Sequence, residues 1–289
     1  MIKPLICLLF AAALVPAWSP SPERGQLLRT GLSDQTAPQA GSQGEFTCPV
    51  NVAISRDIKY GEEDANVVEI ATATKPGAKR PILVFIADDG LSDGQPVVST
   101  NPFIAQAICV AADRGLVAFH VRYRKNRTGA WPEGMKDIAA AISWIFENAD
   151  LFGGNAAEII PIGHGTGASY LANFLSNKAY RVTNNTVAGA VLISGNYQNG
   201  TDNGESVMRG LIDIGVPIVL AWSPADQPRS ADEGEQLRSR LCLAGQCPRT
   251  AVVDTPANPA SVFDLDGAST VLHERLRQLI GQIDARELP

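Results

Sequence analysis

The chain has 289 residues, of which 45% are apolar and 19% charged, and a net charge of −6 at neutral pH. That is ample apolar material for a globular core. The acidic balance offers no basic face, which excludes nucleic acid as an expected partner and an anionic membrane as an expected surface.

At the N-terminus, Met1-Ile2-Lys3, the mostly apolar Pro4 to Leu14 and then Val15-Pro16-Ala17 have the charged start, short apolar core and small terminal residue of a secretory signal. This predicts residues 1–17 as a signal peptide, with export to a periplasm or to the medium. The apolar segment is short for a bilayer and no later segment reaches spanning length, so no membrane association is expected after signal removal. Residues 18–44, rich in Ser, Pro, Gly and Gln with little periodicity, read as a flexible lead. Residues 45–289 read as one domain.

Within that domain Val52 to Tyr60 and Asn66 to Ala73 are β-rich runs separated by the turn cluster Gly61-Glu62-Glu63-Asp64, which predicts an antiparallel hairpin. Pro81 to Ile86 is a continuous apolar run bounded by turn residues, as a strand buried on both faces requires. From there the pattern alternates. Helices are predicted over Asn101 to Arg114, Pro132 to Asn148, Ala168 to Phe174, Ser206 to Ile214, Ala231 to Leu243 and Ser269 to Ala285. Strands are predicted over Leu116 to Tyr123, Ile159 to Ile162, Val187 to Ser194, Val216 to Trp222 and Thr250 to Val253. Such alternation builds an α/β fold, a mostly parallel central sheet with helices on both faces.

With Cys7 removed in the signal, Cys48, Cys109, Cys242 and Cys247 remain, an even number that in an oxidising compartment suggests disulfides while allowing three pairings. Cys242 and Cys247 bracket a short helix-to-strand connection and make the expected bridge. Cys109, on an apolar helix face, reads as a buried thiol. None of the four has a second ligand at metal spacing, so no metal and no cofactor are expected from them.

The stretch Gly163-His164-Gly165-Thr166-Gly167 lies between a predicted strand and a predicted helix, and its spacing resembles the nucleophile elbow of the α/β-hydrolases. Further wording agrees: Pro81 to Ile86, Ala112 to Val117 leading to Val121 to Arg124, Asp137 to Trp144, and Leu151 to Asn155. From about Ser55 onward the chain is similar to the carboxylesterase and feruloyl-esterase-like branch, a resemblance that implies about eight strands. It also implies positions for a catalytic set. The nucleophile position is Gly165, the oxyanion backbone position is Thr166, the acid position is Asp226, and the base position falls at about Asn258. The loop after the first central strand, a His-Gly-Gly turn in the family, here contains Asp88 and Asp89.

Chemically these departures act together. Gly165 has no attacking atom, Asn258 cannot take a proton, and two carboxylates at Asp88 and Asp89 would oppose a developing oxyanion. His164, at the variable elbow position, suits a supporting hydrogen bond, while His120 and His273 read as packing or surface residues. Asp88, Asp89, Asp226, Asp264 and Asp266 bring oxygen atoms towards the carboxyl ends of the strands, yet they form no compact calcium loop. The sequence therefore predicts an exported hydrolase-fold protein without serine-hydrolase chemistry that binds a small molecule or protein through residues including Asp88, Asp89 and His164. The alternatives are an active carboxylic-ester hydrolase with rearranged residues and a metal-dependent enzyme built on the Asp cluster.

Overall fold

The computed structural model describes residues 47–75, 77, 79–87, 102–124, 131–180, 187–198, 204–223, 228–252 and 270–287, all within the unit that spans Gly41–Pro289. Among the described residues the strands are β1 (Val52–Lys59), β2 (Val67–Ala73), β3 (Arg80–Ala87), β4 (Val117–Val121), β5 (Gly154–His164), β6 (Ala190–Ile193), β7 (Ile218–Trp222) and β8 (Arg249–Val252). The helices are α1 (Pro102–Asp113), α2 (Trp131–Asn148), α3 (Thr166–Ser176), α4 (Gly204–Ile214), α5 (Pro228–Leu243) and α6 (Thr270–Glu287).

All eight strands form one sheet in the order β1-β2-β4-β3-β5-β6-β7-β8. The hairpin β1–β2 lies at one edge, with β1–β2 and β2–β4 antiparallel and every later pair parallel. The expected hairpin, the mostly parallel sheet and its eight strands are all present. Because side chains alternate across a strand, each inner strand feeds two cores. Ile82, Val84 and Ile86 of β3 join Phe119, Ile138, Leu171, Leu211 and Leu237 on the face covered by α2 to α5. Leu83, Phe85 and Ala87 join Ile104, Ile108, Ile160 and Leu279 on the face covered by α1 and α6. Phe85 and Phe119 are fully buried, and each such side chain contributes about 1.5–3 kcal/mol relative to exposure.

The structure differs from the sequence reading in the start of β5 and in the pairing of Cys109. β5 starts five residues earlier than the apolar run suggests, because a short 3-10 turn (Ala149–Phe152) ends at Gly153 in the left-handed region and feeds the chain straight into the sheet. Cys109 is not a free thiol: it is bonded to Cys48, which ties α1 to the segment just before β1. The sequence could not foresee this pairing, because the two cysteines are 61 residues apart and meet only once α1 has folded back over the sheet. The expected Cys242–Cys247 bridge is present.

The turn end of the hairpin is tied to the end of β4 and to α2 by polar contacts. Arg124 donates from its backbone N–H and Nε to Asp137 Oδ2 at 2.9 Å each and from Nη2 to Oδ1 at 2.8 Å, while its Nη1 reaches Glu63 at 2.8 Å. Tyr60 donates its hydroxyl to the carbonyl of Arg122 at 2.5 Å and accepts from Asn66 Nδ2 at 3.2 Å. Burial pushes the Tyr60 phenol well above its usual pKa, and the charge of Asp137 adds to that shift.

Candidate functional site

β5 ends in the centre of the sheet and passes directly into α3 through Gly165, whose φ of 56° and ψ of −124° lie where a residue with a Cβ is strained. Close approach shapes the glycines on either side. A Cβ on Gly163 would come within 2.6 Å of the Ala168 backbone, and one on Gly167 would collide with the Ile86 carbonyl of β3. The helix thus sits hard against the strands, and only small residues allow it. The backbone at the apex is well anchored: the Gly165 N–H donates to the Ile193 carbonyl at 2.9 Å, and the Gly165 carbonyl accepts from the N–H of Ala168 at 3.1 Å and of Ser169 at 3.2 Å. Gly165 is half-buried and Thr166, the first helical residue, is exposed. The apex therefore presents backbone and a threonine to solvent, with no side chain at the central position.

Next to the apex runs the loop after β6, and its conformation is set by buried polar groups. Ser194 adopts a positive φ of 51° and donates its N–H to the Ala221 carbonyl at 2.8 Å. The Asn196 N–H donates to Ser169 Oγ at 2.8 Å, and Ser169 Oγ in turn donates to the Gly165 carbonyl at 3.3 Å. The Asn196 side-chain oxygen accepts from Ser230 Oγ at 3.1 Å. Glu233, buried in α5, accepts from the consecutive N–H groups of Tyr197 at 2.5 Å and Gln198 at 2.8 Å. One carboxylate and two serines therefore couple three elements, α3, α5 and the β6 loop, around the elbow. The sequence reading missed Ser169, Asn196, Ser230 and Glu233. A signal was available for Glu233, since it shares the stripe of Leu237 and Leu241 on α5, and an acid on an apolar stripe asks for a buried partner.

His164 is the last residue of β5 and is buried, on the same face as Ile160 and Ile162. His120, expected as a packing or surface residue, is buried in β4. Its Nδ1 lies 3.4 Å from Glu69 Oε2 on the neighbouring strand, and Arg122 Nη2 donates to Glu69 Oε1 at 3.0 Å. All three groups are buried, so the carboxylate of Glu69 meets a cationic and an imidazole partner inside the sheet. His273 belongs to α6. Asp88, Asp89, Asp226, Asn258, Asp264 and Asp266 lie outside the described residues. Among the described residues, no group of three or more His, Cys, Asp and Glu side chains is placed to hold a metal ion, and no helix is long and apolar enough to cross a membrane.

Comparison with known proteins follows the same lines. A sequence profile described as the carboxylesterase family matches residues 32–210. Phenmedipham hydrolase of Pseudarthrobacter oxydans is 29% identical over 123 residues, which is 38% of this chain and 23% of that enzyme, so most of that relative's length has no counterpart in the match. Among solved structures, esterase B from Lactobacillus rhamnosis is similar with a TM-score of 0.62 at 13% identity, covering 91% of this chain and 90% of that one. A truncated carbohydrate esterase from gut microbiota gives 0.60 at 13%, covering 86% and 100%. An α/β-hydrolase enzyme from a Medee basin deep-sea metagenome library gives 0.62 at 14%, covering 81% and 99%. At these identities the structural likeness concerns the fold alone.

Proposed function

The chain belongs to the carboxylesterase family, and from that premise we propose that it retains the α/β-hydrolase frame without serine-hydrolase chemistry and works by binding a small molecule or a protein at the carboxyl ends of its strands. One observation carries this reading: the apex of the elbow is Gly165, held in a backbone conformation that suits glycine. A serine esterase needs an Oγ at that apex, an imidazole to accept its proton and N–H donors for the oxyanion. The Oγ is absent at the point where the fold is most specific. The expected base position, Asn258, is a carboxamide, and the turn expected to carry oxyanion donors contains Asp88 and Asp89. The anchored loop from Ser194 to Gln198 supplies a rigid polar wall beside the apex, as a binding surface requires.

The proposed location is a periplasm or the medium. Support comes from the signal-like residues 1–17 and from the two disulfides, which persist in oxidising compartments. Neither nucleic acid nor a membrane is proposed as a partner after signal removal. A second reading, an active carboxylic-ester hydrolase with rearranged residues, draws on the exposed hydroxyl of Thr166 one position beyond the apex.

Reaction with a fluorophosphonate probe, together with turnover of p-nitrophenyl acetate, separates the two readings. No labelling and no saturable turnover above a denatured control is the expected result. Covalent labelling mapped to Thr166 or to any serine would establish the active-hydrolase reading instead.

A further inference from the structure

The two cystines of the described residues differ in the properties that govern thiol chemistry. Cys48–Cys109 closes a separation of 61 residues and its Cys109 end is fully buried. Cys242–Cys247 closes a separation of only 5 residues, with Cys247 exposed, Cys242 half-buried and the intervening Leu243 at 89% exposure.

The turn between Cys242 and Cys247 is already closed by other means. The N–H of Ala244 donates to the Arg240 carbonyl at 3.1 Å, that of Gly245 to Cys242 at 3.0 Å and that of Gln246 to Leu241 at 2.8 Å. Gly245 takes the left-handed conformation that ends a helix, with φ of 76°. Gln246 Nε2 then fastens the turn to α4 by donating to the Ile212 carbonyl at 2.9 Å. A cross-link over so short a loop constrains the unfolded chain about half as much as the long one, and the turn it spans is also held by these hydrogen bonds. Its position on the surface leaves it open to reagents.

The charge that flanks the cystine along the chain is net positive. Between Glu235 and Asp254 the chain carries Arg238, Arg240 and Arg249 and no acid. Arg238 precedes Cys242 by one helical turn on the same helix face. Its ion pair with Glu235 still leaves the stretch net positive. Cationic neighbours favour a thiolate over a thiol and raise the local concentration of anionic reagents.

We propose that Cys242–Cys247 is a thiol–disulfide exchange site for anionic low-molecular-weight thiols. The incoming thiolate attacks Sγ of the exposed Cys247. The Cys242–Cys247 bond breaks, a mixed disulfide forms on Cys247, and Cys242 departs as a thiolate that takes a proton from water. A second thiol attacks the mixed disulfide, releasing Cys247 and the oxidised thiol dimer, so two electrons pass from two thiols to one cystine. Cys48–Cys109 reacts more slowly because its Cys109 sulfur is fully buried and its Cys48 end is only partly exposed, whereas Cys247 stands exposed.

The test uses the oxidised full chain in native buffer with graded reduced glutathione, quenched by iodoacetamide and mapped by mass. A glutathione adduct on Cys247 and carbamidomethylation of Cys242 are expected at concentrations about tenfold or more below those that open Cys48–Cys109, with an unchanged near-ultraviolet circular dichroism spectrum. Simultaneous opening of both cystines, or opening only with loss of that spectrum, overturns the proposal, and an adduct confined to Cys242 overturns the direction of attack. Arg238→Gln should slow exchange roughly twofold with glutathione and leave neutral 2-mercaptoethanol unaffected, because one surface charge is a small and screened term. Equal slowing with both thiols refutes the electrostatic part.

Discussion

Replacing both Cys48 and Cys109 by alanine removes the bond between α1 and the segment before β1 without leaving a buried free thiol. In the chain-entropy description, the constraint on the unfolded chain grows with the logarithm of the loop. A separation of 61 residues gives about 4 kcal/mol at 25 °C. The same arithmetic for the separation of 5 between Cys242 and Cys247 gives about 2 kcal/mol. Domains of this size have a total stability of about 5–15 kcal/mol, so the first loss takes a large share of it. At about 2–4 °C per kcal/mol for a domain of roughly 150–250 residues, the midpoint should fall by roughly 8–16 °C. The assay is urea unfolding of the wild type and of each double-alanine variant under oxidising conditions, followed by intrinsic fluorescence and repeated with reductant. The Cys48/Cys109 variant should lose about twice as much stability as the Cys242/Cys247 variant, and reductant added during unfolding should bring all three proteins together. A loss for the Cys48/Cys109 variant equal to or smaller than for the short loop would refute the loop-length reasoning.

Gly165→Ser should lower stability by about 1–3 kcal/mol, because a side chain is forced into the sparse backbone region that Gly165 occupies; urea titration measures it, and an unchanged midpoint would show that the apex relaxes without cost. The same variant should remain unlabelled by a fluorophosphonate, since an Oγ without a proton acceptor is not activated. With the base and acid positions proposed at Asn258 and Asp226, Gly165→Ser with Asn258→His is the smallest change expected to supply both missing groups. Tyr60 gives a pH prediction. Its folded pKa is raised by burial, so its contribution is fully present below the unfolded value of about 10 and is lost as pH rises beyond it, where the unfolded state binds fewer protons than the native state. The wild type should therefore lose stability more steeply than Tyr60→Phe above about pH 10, while Tyr60→Phe is weaker near neutrality for want of the hydrogen bond to Arg122. Parallel curves for the two proteins from neutral to alkaline pH would exclude Tyr60 as the titrating group.

Local pattern determined a good deal about this protein. The β-rich runs around Gly61 to Asp64 specify a hairpin because strand register and turn chemistry are encoded within a few residues. The apolar run from Pro81 to Ile86 specifies a doubly buried strand because both of its faces must leave water. The elbow is legible for the same reason: glycines at 163, 165 and 167 between an apolar strand and an apolar-periodic helix meet needs of backbone angle and close approach that act over a single turn. Only the tertiary structure decided which elements lie beside one another. β4 inserts between β2 and β3, Cys48 meets Cys109 across 61 residues, His120 finds Glu69 on the adjacent strand, and Glu233 reaches two backbone N–H groups 35 and 36 residues away. Each of these depends on where the chain returns after a long excursion, which hydrophobic periodicity does not carry. Helices and turns are held by neighbours in sequence, whereas a buried carboxylate or thiol takes whatever partner the folded sheet brings within a few ångströms.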